Sequence, residues 1–179
     1  MKNIIIFTLA IIIAGGSGFA LQKYLNQPSA QTQKKPAVGI QRPEFAAPDL
    51  NGEMRNIKEW DGKLILLNFW ATWCPPCKHE IPAFIELQQA YGEQGFQIIG
   101  IAIDEEDAVR EFAKKIGMNY PTLVAPGDGV MLSKRYGNGV GALPYTVIIN
   151  RDGEISDTIT GELSKIRAKE LLEKHGINL

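Results

Sequence analysis

The sequence predicts an α/β domain with a pair of cysteines delivered to one edge of its sheet, and three observations carry that expectation. Residues 64–69, Leu-Ile-Leu-Leu-Asn-Phe, form a nearly unbroken apolar run, which suits a strand covered on both faces. The stretch 77–91 that follows places Ile81, Phe84, Ile85 and Leu87 at helical spacing. A second apolar run at 96–103 then leads into a charged helical pattern at 105–116, so strands and helices alternate as they do in an α/β sheet.

Taken in order, residues 45–57 carry Asp49-Leu-Asn-Gly52, a turn signal between two short strand-like runs, and predict an N-terminal β-hairpin. Trp60 is expected to pack on the core without a chemical role. Asp61-Gly62 turns the chain into the central strand, whose end faces the edge at which open α/β sheets meet ligands. Pro82 should kink the helix that follows, because it lacks an amide donor, and Gly92 and Gly95 should end it. Acids open the next helix and Gly117 closes it. Residues 120–124 read as a strand, 130–136 as a short helix, and Gly137-Asn-Gly-Val-Gly141 as a flexible approach to Pro144. A hairpin over 145–160, turning at Asp152-Gly153, and an amphipathic helix over 163–175 complete the pattern.

Cys74 and Cys77 are the only cysteines, too few for a four-thiolate zinc site, and they sit where a helix begins. The free amides of a first helical turn favour negative charge, which predicts Cys74 as the attacking thiolate and Cys77, one turn in, as the thiol that resolves the mixed disulfide. A purely structural staple is disfavoured, since closing so short a loop constrains the unfolded chain little. A metal site built with His79 or His175 lacks ligands for a closed geometry. Glu80 lies on the same helical face as Cys77, where a carboxylate can take the resolving thiol's proton; it equally suits the helix dipole, and the residues alone leave both roles open.

The segment Phe69-Trp-Ala-Thr-Trp-Cys-Pro-Pro-Cys77, with Pro82 behind it and Ala142-Leu-Pro-Tyr-Thr146 downstream, resembles the thioredoxin superfamily. Within it the chain looks like a TlpA/ResA-type membrane-associated thiol-disulfide oxidoreductase over about residues 45–175. The resemblance implies a thioredoxin fold with an N-terminal β-hairpin and a central αβ insertion over 105–124, an active-site glutamate at Glu80, and a cis bond between Leu143 and Pro144. Client contact is expected from Trp73, Pro75, Leu143 and Pro144, with the Leu143 backbone beside Cys74 and Trp73 as a lid. Plain thioredoxins have a buried aspartate where this strand has Asn68, so the proton path must differ. Lys78 is expected to be an exposed neighbour, and Thr72 receives no role.

Both residues between the cysteines are proline, so no histidine stabilises the thiolate as in strong oxidants, and the expected direction is reduction of disulfides on exported proteins. In an oxidising compartment such a dithiol needs a membrane thiol protein as electron donor. Apocytochrome c is one candidate client of this family, although Gly139-Val-Gly-Ala-Leu-Pro-Tyr145 departs from the Gly-Val-x-Gly-Ala-Pro-Glu pattern of dedicated cytochrome-maturation members. Two rival readings use the same cysteines. One is a peroxiredoxin-like peroxidase, for which Ala71 stands where a threonine or serine is needed; the other is a copper-binding or delivery module, for which the spacing is one residue short.

The net charge of −1, without a basic stripe, argues against nucleic acid as partner. No cofactor or metal is expected, and the protein is expected to be a monomer. Residues 4–21 carry no charge and follow Lys2, so residues 1–25 read as a signal or membrane-anchor segment that places the domain outside the cytoplasm. An uncleaved anchor is the preferred reading, with Gly18-Phe-Ala20 as the competing cleavage site. Residues 26–43, polar and containing Pro28, Pro36 and Pro43, read as a linker to a thioredoxin-like domain at 44–179.

Overall fold

The computed structural model describes residues 38–179. Its centre is β3 (Leu64–Trp70), in which all seven residues are buried. β4 (Phe96–Ala102), equally buried, runs parallel to it in a register from Leu64 opposite Phe96 to Trp70 opposite Ala102. β5 (Thr122–Val124) adds in parallel outside β4. On the other side β6 (Tyr145–Ile149) pairs antiparallel with β3, and β7 (Ile155–Thr160) pairs antiparallel with β6. The order β5-β4-β3-β6-β7 fills a five-stranded mixed sheet, while β1 (Ala46–Pro48) and β2 (Met54–Asn56) form the expected N-terminal hairpin. Asp49 makes its turn by accepting the N–H groups of Asn51 and Glu53, and Gly52 supplies the positive φ of 80° that a side chain would resist.

Side chains of β3 alternate between two cores, as the period of a strand requires. Leu64, Leu66 and Trp70 pack against Cys77, Ile81 and Phe84 of α1 (Pro75–Tyr91). The same layer takes in Val109 of α2 (Glu106–Ile116) and Leu171 of α4 (Lys165–Lys174). Ile65, Leu67 and Phe69 face the other way, toward Ile57, Trp60, Leu132 of α3 (Gly129–Arg135), and Tyr136. Asn68 shares the parity of Leu66 and Trp70, so its amide enters the layer that holds α1.

The helix ends follow from their caps. Cys74 Sγ accepts the N–H of Cys77 at the start of α1, and Pro75 and Pro76 occupy the first helical positions, where their missing N–H groups cost nothing. Pro82 sits exposed inside the helix. Gly117 takes a left-handed φ of 67° and closes α2, whose first turn carries Glu106 and Asp107 and whose last carries Lys114 and Lys115, the charge order that a helix dipole favours.

Three expectations change. The strand read at 120–124 shortens to Thr122–Val124, because Pro121 has no N–H to give and contributes only its carbonyl, to Gly100 N. The last helix starts at Lys165, capped by Ser164, and Leu163 stays outside it with its N–H committed elsewhere. Part of the stretch read as linker belongs to the domain: Gly39 N bonds Ile155 O, Ile155 N bonds Ile40 O, and Arg42 N bonds Gly153 O. Tyr136 Oη also holds Pro43 O at 2.6 Å. At the opposite border Asp49 bridges Leu123 of β5. The anchor segment at 1–25 and most of the linker lie outside the described residues; among the described residues no helix is long and apolar enough to cross a membrane.

Candidate active site

Cys74 and Cys77 are joined in a disulfide, with Cα atoms 5.3 Å apart, where β3 gives way to α1. They are unequally placed: Cys77 is fully buried and Cys74 is 4% exposed. An incoming thiolate or disulfide therefore meets Cys74 first, and the N–H of Cys77, 3.3 Å from Cys74 Sγ, is a donor ready to stabilise negative charge on that sulfur.

The loop ahead of Cys74 is fixed by a residue that the sequence did not single out. Asp104, just past the end of β4, accepts both the N–H of Thr72, at 2.8 Å, and its hydroxyl on one carboxylate oxygen, and the N–H of Glu105 on the other. Burial pushes the Asp104 carboxyl up, but the Thr72 hydroxyl and the two backbone donors outweigh it and hold the group below its ordinary 3.8. Thr72, left without a role by the sequence, is thus the far end of a strut between two strand ends. The one available signal was an aspartate at the carboxyl edge of a predicted strand, opening a helix.

Glu80 is 2% exposed, one turn beyond Cys77. Its Oε1 accepts Asn68 Nδ2 at 2.7 Å and its Oε2 accepts the N–H of Leu163 at 2.7 Å. Burial raises its carboxyl strongly, the Leu163 and Asn68 donors lower it, and nearby Glu162 raises it again; the balance stands at about 7. A carboxyl so placed is able to exchange a proton at neutral pH, and it lies beyond the first turn of α1, where a helix dipole acts most strongly. Asn68 also gives its second N–H to Thr146 Oγ1 of β6, at 3.0 Å.

The Leu143–Pro144 peptide bond is cis. Its approach differs from the flexible reading of 137–141: Asn138, 2% exposed, accepts Ala142 N and donates to Ala142 O, clamping the loop from within. Leu143 packs against both cores, while its own N–H and C=O make no hydrogen bond among the described residues. Trp73 is 64% exposed, Pro75 is exposed and Pro144 is buried. Lys78 is exposed, and His79 points to Glu162 at 3.8 Å on the surface. Among the described residues no group of three or more His, Cys, Asp or Glu side chains is arranged to hold a metal ion. At the position a peroxidatic centre would need a hydroxyl stands the buried methyl of Ala71, and the neighbouring Thr72 hydroxyl is bound to Asp104.

The chain as a whole is similar to known proteins. The profile of the AhpC/TSA family matches residues 38–158. The thiol-disulfide oxidoreductase ResA of Bacillus cereus (strain ATCC 10987 / NRS 248) is 36% identical over 177 residues, 97% of each chain. That of Geobacillus thermodenitrificans (strain NG80-2) is 36% identical over 138 residues, 76% of this chain and 77% of its own. A crystal structure of a thiol:disulfide interchange protein of the thioredoxin family from Chlorobium tepidum TLS superposes with a TM-score of 0.69 at 28% identity, covering 75% of this chain and 94% of that one. With its dithiol motif at a helix start and its mixed five-stranded sheet, the chain belongs to the AhpC/TSA family and, within it, to the ResA-type thiol-disulfide oxidoreductases of thioredoxin fold.

Proposed function

We propose that this oxidoreductase works as a reductant for disulfides on exported proteins, with Glu80 carrying the proton of its resolving thiol. The observation that carries this reading is the burial of Glu80, near neutral titration, on the helical face of Cys77. In the dithiol form Cys74 thiolate attacks a client disulfide; one client sulfur leaves as thiolate and the other joins Cys74. Cys77 then passes its proton to the Glu80 carboxylate and attacks Cys74 Sγ. The client's second sulfur departs with the electron pair, and the Cys74–Cys77 disulfide remains. Two electrons have moved to the client, and Glu80 returns its proton to the departing thiolate or to water.

Trp73, Pro75, Leu143 and Pro144 would line the client's path: the exposed Trp73 offers apolar area, and the unbonded Leu143 backbone can pair with an extended client strand. Residues 1–25 would hold the domain at the outer face of the membrane, where a membrane thiol protein recharges it. The proline pair between the cysteines supports the reducing direction, and apocytochrome c is one client this reading admits.

Stopped-flow reduction of a model disulfide tests the assignment. Glu80→Gln should leave the first attack near wild type and slow the resolving phase by about 10²-fold or more, the lower range of general-base contributions; equal phases would remove Glu80 from the mechanism. A midpoint potential near −120 mV, that of the strongest oxidants of this fold, would reverse the direction. Trapping with Cys77→Ala in cells should yield mixed disulfides with a membrane thiol protein and with exported clients, none of which form once Cys74 is also replaced.

A further inference from the structure

We propose that Asn68 positions Glu80 by turning its side-chain amide over with the carboxyl's protonation, presenting Nδ2 to the carboxylate and Oδ1 to the carboxylic acid. The inference rests on the reading of Glu80 as proton carrier and adds a residue to it.

Asn68 stands in the middle of β3, 1% exposed, between the apolar Leu67 and Phe69. Both N–H groups of its amide are used, one on Glu80 Oε1 and one on Thr146 Oγ1, while its Oδ1 is buried with no partner. A buried carbonyl oxygen without a donor is costly and rare.

The orphaned oxygen makes sense in the other protonation state. A carboxylate only accepts, so it requires Nδ2 in front of it. Each oxygen accepts one N–H at 2.7 Å, but the Leu163 donor is backbone and cannot turn away, so the proton is accommodated at Oε1, where it would confront Nδ2, donor against donor. Rotation of the amide by about 180° removes the conflict and lets Oδ1 accept from the new O–H, while Nδ2 moves to the place that Oδ1 held without a partner. Thr146 allows both settings, because a hydroxyl accepts from Nδ2 in one and donates to Oδ1 in the other. No apolar side chain and no carboxylate at position 68 could follow the proton in this way.

Other ionisable groups surround Glu80 without replacing this partner. Glu162 approaches from the segment before α4 and pairs with His79; Cys77 and Cys74 lie on or beside the same helix. Tyr120, from the segment before β5, has a buried hydroxyl with no partner, and burial first, then the charge of Glu80, pushes it well above the ordinary tyrosine range, so it stays neutral. In the resolving step Cys77 loses its proton to Oε1, the amide turns, and the acid is held by Oδ1 until it releases the proton, when the amide turns back.

The test uses the full-length chain in its disulfide form, where the cysteines do not titrate, with 15N in asparagine side chains and 13C in glutamate carboxyls. Between about pH 5 and pH 9 the Asn68 amide nitrogen and the Glu80 carboxyl carbon should move together with a single midpoint. A Glu80 carbon that titrates beside an invariant Asn68 nitrogen would overturn the proposal, and this needs no variant that must fold. Asn68→Leu takes a partner from the carboxylate and from the acid alike, so it should raise the Glu80 midpoint by less than about one unit, whereas a fixed Nδ2 donor predicts a rise of about one unit or more. A rise of about one unit or more in Asn68→Leu would also overturn it, because the amide would then be serving the carboxylate alone. Wild-type resolution by Glu80→Gln would sink the parent reading instead, a result the resonances do not share.

Discussion

Stability of the disulfide form should fall as pH rises through neutrality, and Glu80→Gln should abolish that fall. In the folded chain the Glu80 carboxyl titrates at about 7, against an ordinary 4.5. Between those values the folded protein keeps a proton that the unfolded chain releases, so unfolding gains with rising pH. The favourable contribution is complete below about 4.5, shrinks through the window and is gone above about 7. At about 1.4 kcal/mol per unit, the gap of about 2.5 units amounts to about 3.5 kcal/mol, a large part of a total of roughly 5–15 kcal/mol. Asp104 and Asp157, both held below 3.8, act with the opposite sign: their contributions stand above that value and are lost as pH falls through the lowered ones, outside the window. Guanidinium unfolding of the oxidised protein at about pH 5 and pH 8 should show wild type losing about 2–3 kcal/mol relative to Glu80→Gln. Parallel pH dependences in the two proteins would refute the reasoning, because burial would then not be imposing a charge cost on Glu80.

Cys74→Ser should abolish dithiol-driven insulin reduction, read by turbidity, because the buried Cys77 is not reachable in its place. Asp104→Ala should free Thr72 and destabilise the protein by about 1–3 kcal/mol in denaturant unfolding, the cost of leaving donors unpaired, with slower insulin reduction as the loop before Cys74 loosens. Gly129→Ala should cost about 1–3 kcal/mol, since a Cβ there would lie 2.7 Å from Ile103 Cγ1, whereas Gly127→Ala meets nothing within 4 Å and should be close to neutral; thermal melts separate the two.

Much of this architecture is legible because its signals are local. The nearly unbroken apolar runs that became β3 and β4 suited strands covered on both faces, and the prolines and glycines around α1 and α2 marked their ends by what they cannot donate or readily adopt. Cys74, Cys77 and Glu80 were readable for the same reason, lying within two turns of one helix. What escaped depends on partners far along the chain. Nothing within reach of Leu163 shows that its N–H leaves the helix for a carboxylate 83 residues earlier. Asp104 and Thr72 look like ordinary loop residues until two strands are set side by side. Asn138, embedded among glycines, reads as part of a loose turn, and only its burial reveals a clamp. The segment 39–42 reads as linker because its hydrogen bonds are made by backbone, which carries no mark in the sequence.

That pairing of the first described residues along Gly153 and Ile155, together with the Asp49–Leu123 bridge, occupies parts of both outer borders of the sheet. An unguarded border strand presents a row of open amides and carbonyls that any extended polypeptide can join. For a protein whose proposed clients arrive incompletely folded, such a border would compete with the site for every one of them and would template aggregates. With parts of both margins covered by its own chain and the backbone of Leu143 unbonded, the fold leaves fewer competitors to the strand addition proposed at Leu143, which would bring capture and chemistry to the same spot.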